Sequence, residues 1–243
     1  MTERVQKQLA LLQSRAYRDR RHAPEISPEE ADKHFPERAL ASEARRFIYA
    51  LSTEKQAVFH GEDLFGFNRY STGTLAETRF GNTVIDYEKI LRIGFSGILD
   101  EIRARRSSAD LNALAFYDAV EASYAACFSS AEMYRDAAER EGNVRLAHAL
   151  SHIPREGARD YYEALVFLRM LAYFLRLGRC PHLPLGRFDV YMKPYFDRSI
   201  ANGESEEELL ELTELFFIAM NFDTDLYFGI QKGDNGQSLV LGG

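Results

Sequence analysis

His148 and His152 stand four residues apart, a spacing that on a helix places both imidazoles on one face, where they could ligate one metal ion. A working metal site needs a third ligand and, for hydrolysis, a general base as in His-Glu-x-x-His. His148-Ala149-Leu150-Ser151-His152 supplies neither, which favours surface or structural histidines. Asp223 and Asp225 could serve acid-base or metal chemistry, but Asp is favoured in a loop after a helix for turn reasons alone. Arg187 and Asp189, two apart between Phe188 and Tyr191, can form a structural ion pair that anchors a turn; the sharper alternative is a clamp for a substrate carboxylate. Cys127 and Cys180 lack the short spacing of a zinc site and form no disulfide framework, so both are expected reduced. Gly-x-Gly-x-x-Gly, P-loop, Gly-x-Ser-x-Gly and Cys-x-x-Cys patterns do not occur.

The elements that must position these residues are mostly helices. Val5, Leu9, Leu12 and Ala16 recur at helical spacing in residues 2 to 20, and the proline-rich stretch 22 to 36 reads as a linker, with one short turn startable at Ser27-Pro28-Glu29-Glu30. A second helix from about Pro36 to Leu51 would bury Leu40, Ala44, Phe47 and Ile48. Between Ser52 and Thr83, Gly61, Gly66, Gly73 and Gly81 interrupt any helical period, which predicts a long apolar loop with one short strand at Phe65 to Arg69. Asp86 opens a helix through Arg106, in which Gly94 and Gly97 imply close approach of a neighbouring backbone. Ser107 to Glu141 reads as a long helix stopped by Gly142-Asn143, and Asn143 to His152 as a short one.

The last third is denser. Asp160 and Glu163 have the spacing of a capping box and launch a helix to Leu177 that is apolar nearly all round and must therefore be central. Arg179 to Leu185, with Pro181 and Pro184, cannot be helical, and by composition the whole of Leu185 to Phe196 is a turn-rich segment between two buried helices. Ser205 and Glu208 form another capping box, opening a helix to about Met220 that turns Leu209, Leu212, Leu215, Phe216 and Phe217 inward. Ser238 to Leu241 is the best strand in the chain, an unpaired edge unless something covers it.

The chain has 243 residues, of which 46% are hydrophobic, enough to bury a sizeable core. A net charge of -7, with basic clusters only at Arg15 to His22 and Arg103 to Arg106, argues against nucleic-acid and anionic-membrane partners, because phosphate contacts require concentrated Lys and Arg. No run of 18 apolar residues and no apolar signal core at the N-terminus occur, so a cytoplasmic location without a membrane span is expected.

Several segments, in order, resemble the glycyl radical enzymes of the pyruvate formate-lyase type. Gly186-Arg187-Phe188-Asp189-Val190-Tyr191 followed by Pro194-Tyr195 is similar to that family's Gly-Arg-Phe-Asp-Gln-Tyr and Pro-Tyr segment. Tyr162-Glu163-Ala164-Leu165 resembles its aromatic-Glu-Ala-Leu helix start, and Gly236-Gln237-Ser238-Leu239-Val240-Leu241-Gly242-Gly243 its Gln-Asn-Leu-Thr-Leu-Gly-Gly strand. Asp86-Tyr87-Glu88-Lys89-Ile90-Leu91 with Gly94 and Gly97, and the opening Thr2-Glu3-Arg4-Val5, match as well.

The resemblance implies a ten-stranded α/β barrel of two half-barrels inside a coat of helices. This chain is mainly α as it stands and would supply the N-terminal helical part with only the first barrel strands: N-terminal helices in 1 to 51, a Gly-rich loop in 52 to 83, and the helical layer with those strands in 84 to 243. Family chemistry stores a radical on a backbone glycine, passes it to a cysteine inside the barrel, and uses the thiyl radical to take hydrogen from the substrate. A separate radical S-adenosylmethionine activase installs the glycyl radical, and no other bound cofactor is implied.

The family's Cys loop and Gly loop both lie downstream of the Gln-x-Leu-x-Leu-Gly-Gly strand. Cys127 and Cys180 do not match the thiyl position, and Gly242 and Gly243 do not match the radical glycine, so no catalytic residue is assigned and the chain alone is expected to be inactive. Asn82, where the family often has His, together with Gln237 and Ser238, which stands where Asn is common, match substrate-pocket positions. The implied partners are a small-molecule substrate, a C-terminal half or a second copy, and the activase. The reaction could be lyase or dehydratase chemistry on a small organic metabolite in anaerobic metabolism. The rival readings are a non-catalytic helical binding or scaffold protein derived from that fold, and a small metal enzyme built on His148 and His152.

Overall fold

The computed structural model describes residues 1–20, 33, 40–54, 64–68, 84–178, 180, 183–222 and 239–242. These form helices α1 (Glu3–Ser14), α2 (Leu40–Thr53), α3 (Tyr87–Arg106), α4 (Leu111–Arg140), α5 (Val144–Leu150), α6 (Tyr161–Leu177), α7 (Phe188–Ala201) and α8 (Glu206–Ala219), with a 3-10 turn at Ala16–Arg20. β pairing among the described residues is confined to one isolated parallel bridge between Gly186 and Leu239.

Polar side chains begin the helices, at α4 from Asp110 and not from Ser107. Asp86 accepts the Lys89 amide at 3.0 Å, Asp110 that of Ala113 at 2.8 Å, Asn143 that of Leu146 at 3.2 Å and Asp160 that of Glu163 at 2.8 Å. Each satisfies an amide with no partner inside its helix and contributes about 1 kcal/mol. At α8 the box is reciprocal: Ser205 accepts from Glu208 N and Glu208 from Ser205 N. At α6 it is displaced by one residue, because Glu163 reaches back to the amide of Arg159, at 2.6 Å, instead of that of the cap Asp160.

Helix α6 is the hub. It packs against α2, α3, α5, α7 and α8, and nearly every residue in it is buried, including Glu163, Arg169 and Arg176. A helix apolar all round has no solvent face to present, so the fold must surround it. Aromatic rings fill the joints: Phe65 meets Tyr162 and Phe216, and Phe67 meets Tyr134, Tyr173 and Phe174.

Helix α3 is broken at Gly94, whose φ of 64° and ψ of -176° leave the helical region. The chain there runs alongside residues 154 to 158: Phe95 N–H donates to Pro154 O, Ser96 N–H to Arg155 O and Ala158 N–H to Leu91 O. Backbone groups freed by the kink are thus re-paired with a neighbouring segment, as burial requires. Gly94 does meet a foreign backbone. Gly97 does not, since a side chain there would strike Ile93 of its own helix.

Three further sequence expectations are corrected. In α2, Leu40 is 53% exposed while Ser42, Arg46 and Leu51 are buried; the helix is turned so that Phe47 meets Phe174 and only the C-terminal part of its apolar set reaches the core. No strand forms at residues 65 to 68, because Gly66 (φ 64°) and Phe67 (φ 56°) are both left-handed, which breaks the alternation that a strand needs. The segment Leu185 to Phe196 is turn-like only to Arg187, and Phe188 onward is α7, with Pro194 inside it. Proline removes one helix bond there, and the residue that loses its donor, Val190, is 51% exposed, so water can serve its carbonyl.

Candidate functional site

The start of α7 and the segment 239–242 come together as one unit. Leu185 and Gly186 lead into the helix, and Gly186 takes a left-handed φ of 60° that turns the chain from extended to helical. Val240 N–H donates to Gly186 O at 3.0 Å. Arg187 spans Asp189 with a two-pronged pair, Nε to Oδ1 and Nη2 to Oδ2, both 3.0 Å. Asp189 Oδ2 also accepts the amide of Gly242 at 3.1 Å. The Arg187 fork first, and the Gly242 amide second, hold the Asp189 carboxyl down at about 2, so it is ionised at neutral pH. Leu239 packs against the core, while Val240 and Leu241 are exposed.

Tyr87 and Tyr191 stack beside this unit, with ring centroids 5.3 Å apart, and the Tyr87 hydroxyl donates to Pro184 O. Burial pushes both phenols up, so neither ionises under ordinary conditions. The arrangement is a rigid apolar wall with one charged pair at its rim. It can position backbone; by itself it offers no nucleophile and no general base.

The profile of the pyruvate formate lyase-like family matches residues 29–243, most of the chain and all of this unit. The chain belongs to that family. Among curated family relatives it is 30% identical over 173 residues to isethionate sulfite-lyase of Desulfovibrio desulfuricans, covering 62% of this chain and 21% of the relative. It is 24% identical over 208 residues to (2S)-3-sulfopropanediol dehydratase of Klebsiella oxytoca, covering 75% and 25%. A solved structure concerned with 1,2-propanediol dehydration in Roseburia inulinivorans superposes with a TM-score of 0.80 at 15% identity, over all of this chain and 43% of the other. The chain thus spans about a fifth to a quarter of the length of the curated relatives it matches.

In this family member the two sequence-selected histidines do not converge. His152 is buried with Nε2 2.8 Å from Glu163 Oε2, whereas His148 is exposed, its ring centroid 6.1 Å from that of His152. His152 Nε2 makes no aligned hydrogen bond, so its contact with Glu163 is one of proximity, while Nδ1 lies 3.4 Å from the Ser151 hydroxyl. No group of three or more metal-type ligands exists among the described residues. Asn82, Asp223, Asp225, Gln237 and Ser238 lie outside the described residues.

Cys127 on α4 and Cys180 after α6 line one cavity of about 430 Å³, walled by Phe47, Phe95, Tyr124 and Phe174 among others. Burial raises both thiols above their usual range and pushes the Tyr124 phenol up to about 12. The cysteines therefore stay protonated and are poor nucleophiles, since the thiolate is the nucleophile. Sequence reasoning missed the Glu163 carboxylate beside His152 and the Gly242 amide on Asp189. Glu163 was legible only as a capping residue, and nothing in the spacing of Asp189 and Gly242 signals their contact.

No helix among the described residues is long and apolar enough to cross a membrane.

Proposed function

We propose that this chain is the N-terminal portion of a glycyl radical lyase or dehydratase that acts on a small hydroxylated metabolite by thiyl-radical hydrogen abstraction. The observation that carries the reading is the family match across residues 29–243, which runs through Gly186-Arg187-Phe188-Asp189 and the segment paired with it. Isethionate, sulfopropanediol and 1,2-propanediol, the compounds named for its relatives, each carry a hydroxyl group on a short carbon chain. That shared feature supports a small hydroxylated substrate.

In this reading the Cys loop and the radical Gly loop lie outside the chain. The position of Cys127 and Cys180 supports this, because a hydrogen-abstracting cysteine must face substrate, whereas these line an apolar cavity between helices. The chain's own task is positioning: its helices form the coat, and the Gly186–Leu239 pairing starts the barrel wall. Asn82, Gln237 and Ser238 are the proposed substrate contacts. A glycyl radical, installed by a radical S-adenosylmethionine activase, supplies the hydrogen-abstracting chemistry.

The test is anaerobic mixing of this chain with a polypeptide carrying the family's Cys and Gly loops, in the presence of the activase and S-adenosylmethionine. Association and turnover of a small hydroxylated compound are expected. Failure to associate would leave the chain as a non-catalytic helical scaffold.

A further inference from the structure

Toward the C-terminus, the parallel pairing at Gly186 goes no further than its bond to Val240 among the described residues. Val240 N–H donates to Gly186 O at 3.0 Å. In an uninterrupted parallel ladder the next amide on the same edge, that of Gly242, would be taken by the carbonyl of Phe188. Phe188 is the first residue of α7, so its carbonyl points along the helix and is committed there. The Gly242 amide instead meets Asp189 Oδ2 at 3.1 Å.

We propose that the Asp189 side chain stands in for the missing ladder carbonyl, and that Asp189, aimed by Arg187, is a positioning residue fixing the register of segment 239–242 on Gly186. Two features fit this role. Arg187 starts α7 without a side-chain cap bond, its guanidinium being turned wholly onto Asp189. Two parallel prongs fix the carboxylate plane, which a single contact would leave free to rotate. Gly242 has a φ of 76°, which lets the chain turn as its amide reaches the carboxylate. A shift of one residue would point the amides of Val240 and Gly242 to the opposite edge, away from both acceptors. The inference stands on the geometry of this chain and does not require the radical chemistry proposed above.

Amide hydrogen exchange on the isotope-labelled chain tests it, with no activation or substrate needed, so its outcome is separable from that of the functional reading. In D189A the amides of Val240 and Gly242 should exchange about tenfold faster, the change that losing one ordinary hydrogen bond brings, while those of Met192 to Ser199 in α7 change less than about twofold. In D189N, which keeps an acceptor oxygen, the loss at Gly242 should be smaller than in D189A. Unchanged exchange at Gly242 in D189A would overturn the proposal. So would equal acceleration of Gly242 and α7, which would make Asp189 a helix cap alone. If D189A does not fold, the same comparison of Gly242 with α7 is read on D189N.

Discussion

Gly94 and Gly157 face each other's chains at a crossing too tight for a side chain on either. A Cβ on Gly94 would lie 2.4 Å from Arg155 O, and one on Gly157 2.2 Å from Arg92 O. Gly94 also has a left-handed φ, so it carries a conformational requirement as well as a spatial one. G94A and G157A should each destabilise the chain by at least about 2 kcal/mol, read as a lower denaturant midpoint. G97A, which would press only on the Ile93 side chain, should cost less. Equal costs at all three positions would contradict the crossing.

His152 and Glu163 make a second prediction. Both are buried and 2.8 Å apart, and Glu163 also accepts the Arg159 amide. Removing a buried acceptor leaves the Arg159 amide without its partner, so E163A should cost roughly 2 kcal/mol, while H148A at an exposed position should stay within about 0.5 kcal/mol of the parent. A metal site built on the histidines predicts the reverse dependence on His148, together with stoichiometric metal by elemental analysis. No stoichiometric metal is expected.

The pH dependence of the Asp189 contact has a definite sign. Its folded-state pKa of about 2 lies below the ordinary Asp value, first because of Arg187 and then because of the Gly242 amide. A depressed carboxyl stabilises fully above the unfolded pKa of about 3.9 and loses that contribution as pH falls through the folded value. The difference in Tm between the parent and D189N should therefore be constant from about pH 5 to 7 and shrink between about pH 4 and 2. A difference that grows on acidification would contradict the Arg187–Asp189 pairing.

Much of this arrangement is written locally in the sequence. Asp86, Asp110, Asn143, Asp160 and Ser205 all begin helices because capping is decided within one turn. The central place of α6 followed from a helix with no polar face. What escaped was non-local or locally contradictory. Pro194 and the flanking prolines masked α7, whose existence rests on packing by Phe188, Tyr191, Met192 and Tyr195. The break in α3 depends on residues 154 to 158, and the role of Asp189 depends on Gly242; neither partner is within reach of a periodicity argument. Leu40 turned outward because burial on α2 is set by where α4 and α6 lie.

The two thiols give a chemical prediction. With both cysteines buried and held protonated, a disulfide reagent at neutral pH should label the native chain at least about 100-fold more slowly than the unfolded chain. C127S and C180S should leave reconstituted turnover within about twofold of the parent, since single substitutions outside the reacting groups have small effects on transition-state stabilisation. Loss of turnover in C127S without loss of folding would place a reacting group in this chain after all.

The most direct measurement is the electron paramagnetic resonance spectrum after anaerobic treatment with the activase and S-adenosylmethionine. No glycyl radical is expected on this chain alone, and a glycyl doublet is expected when a polypeptide bearing the family's Cys and Gly loops is added. A glycyl signal from the chain alone, at Gly242 or any other of its glycines, would contradict the proposed function.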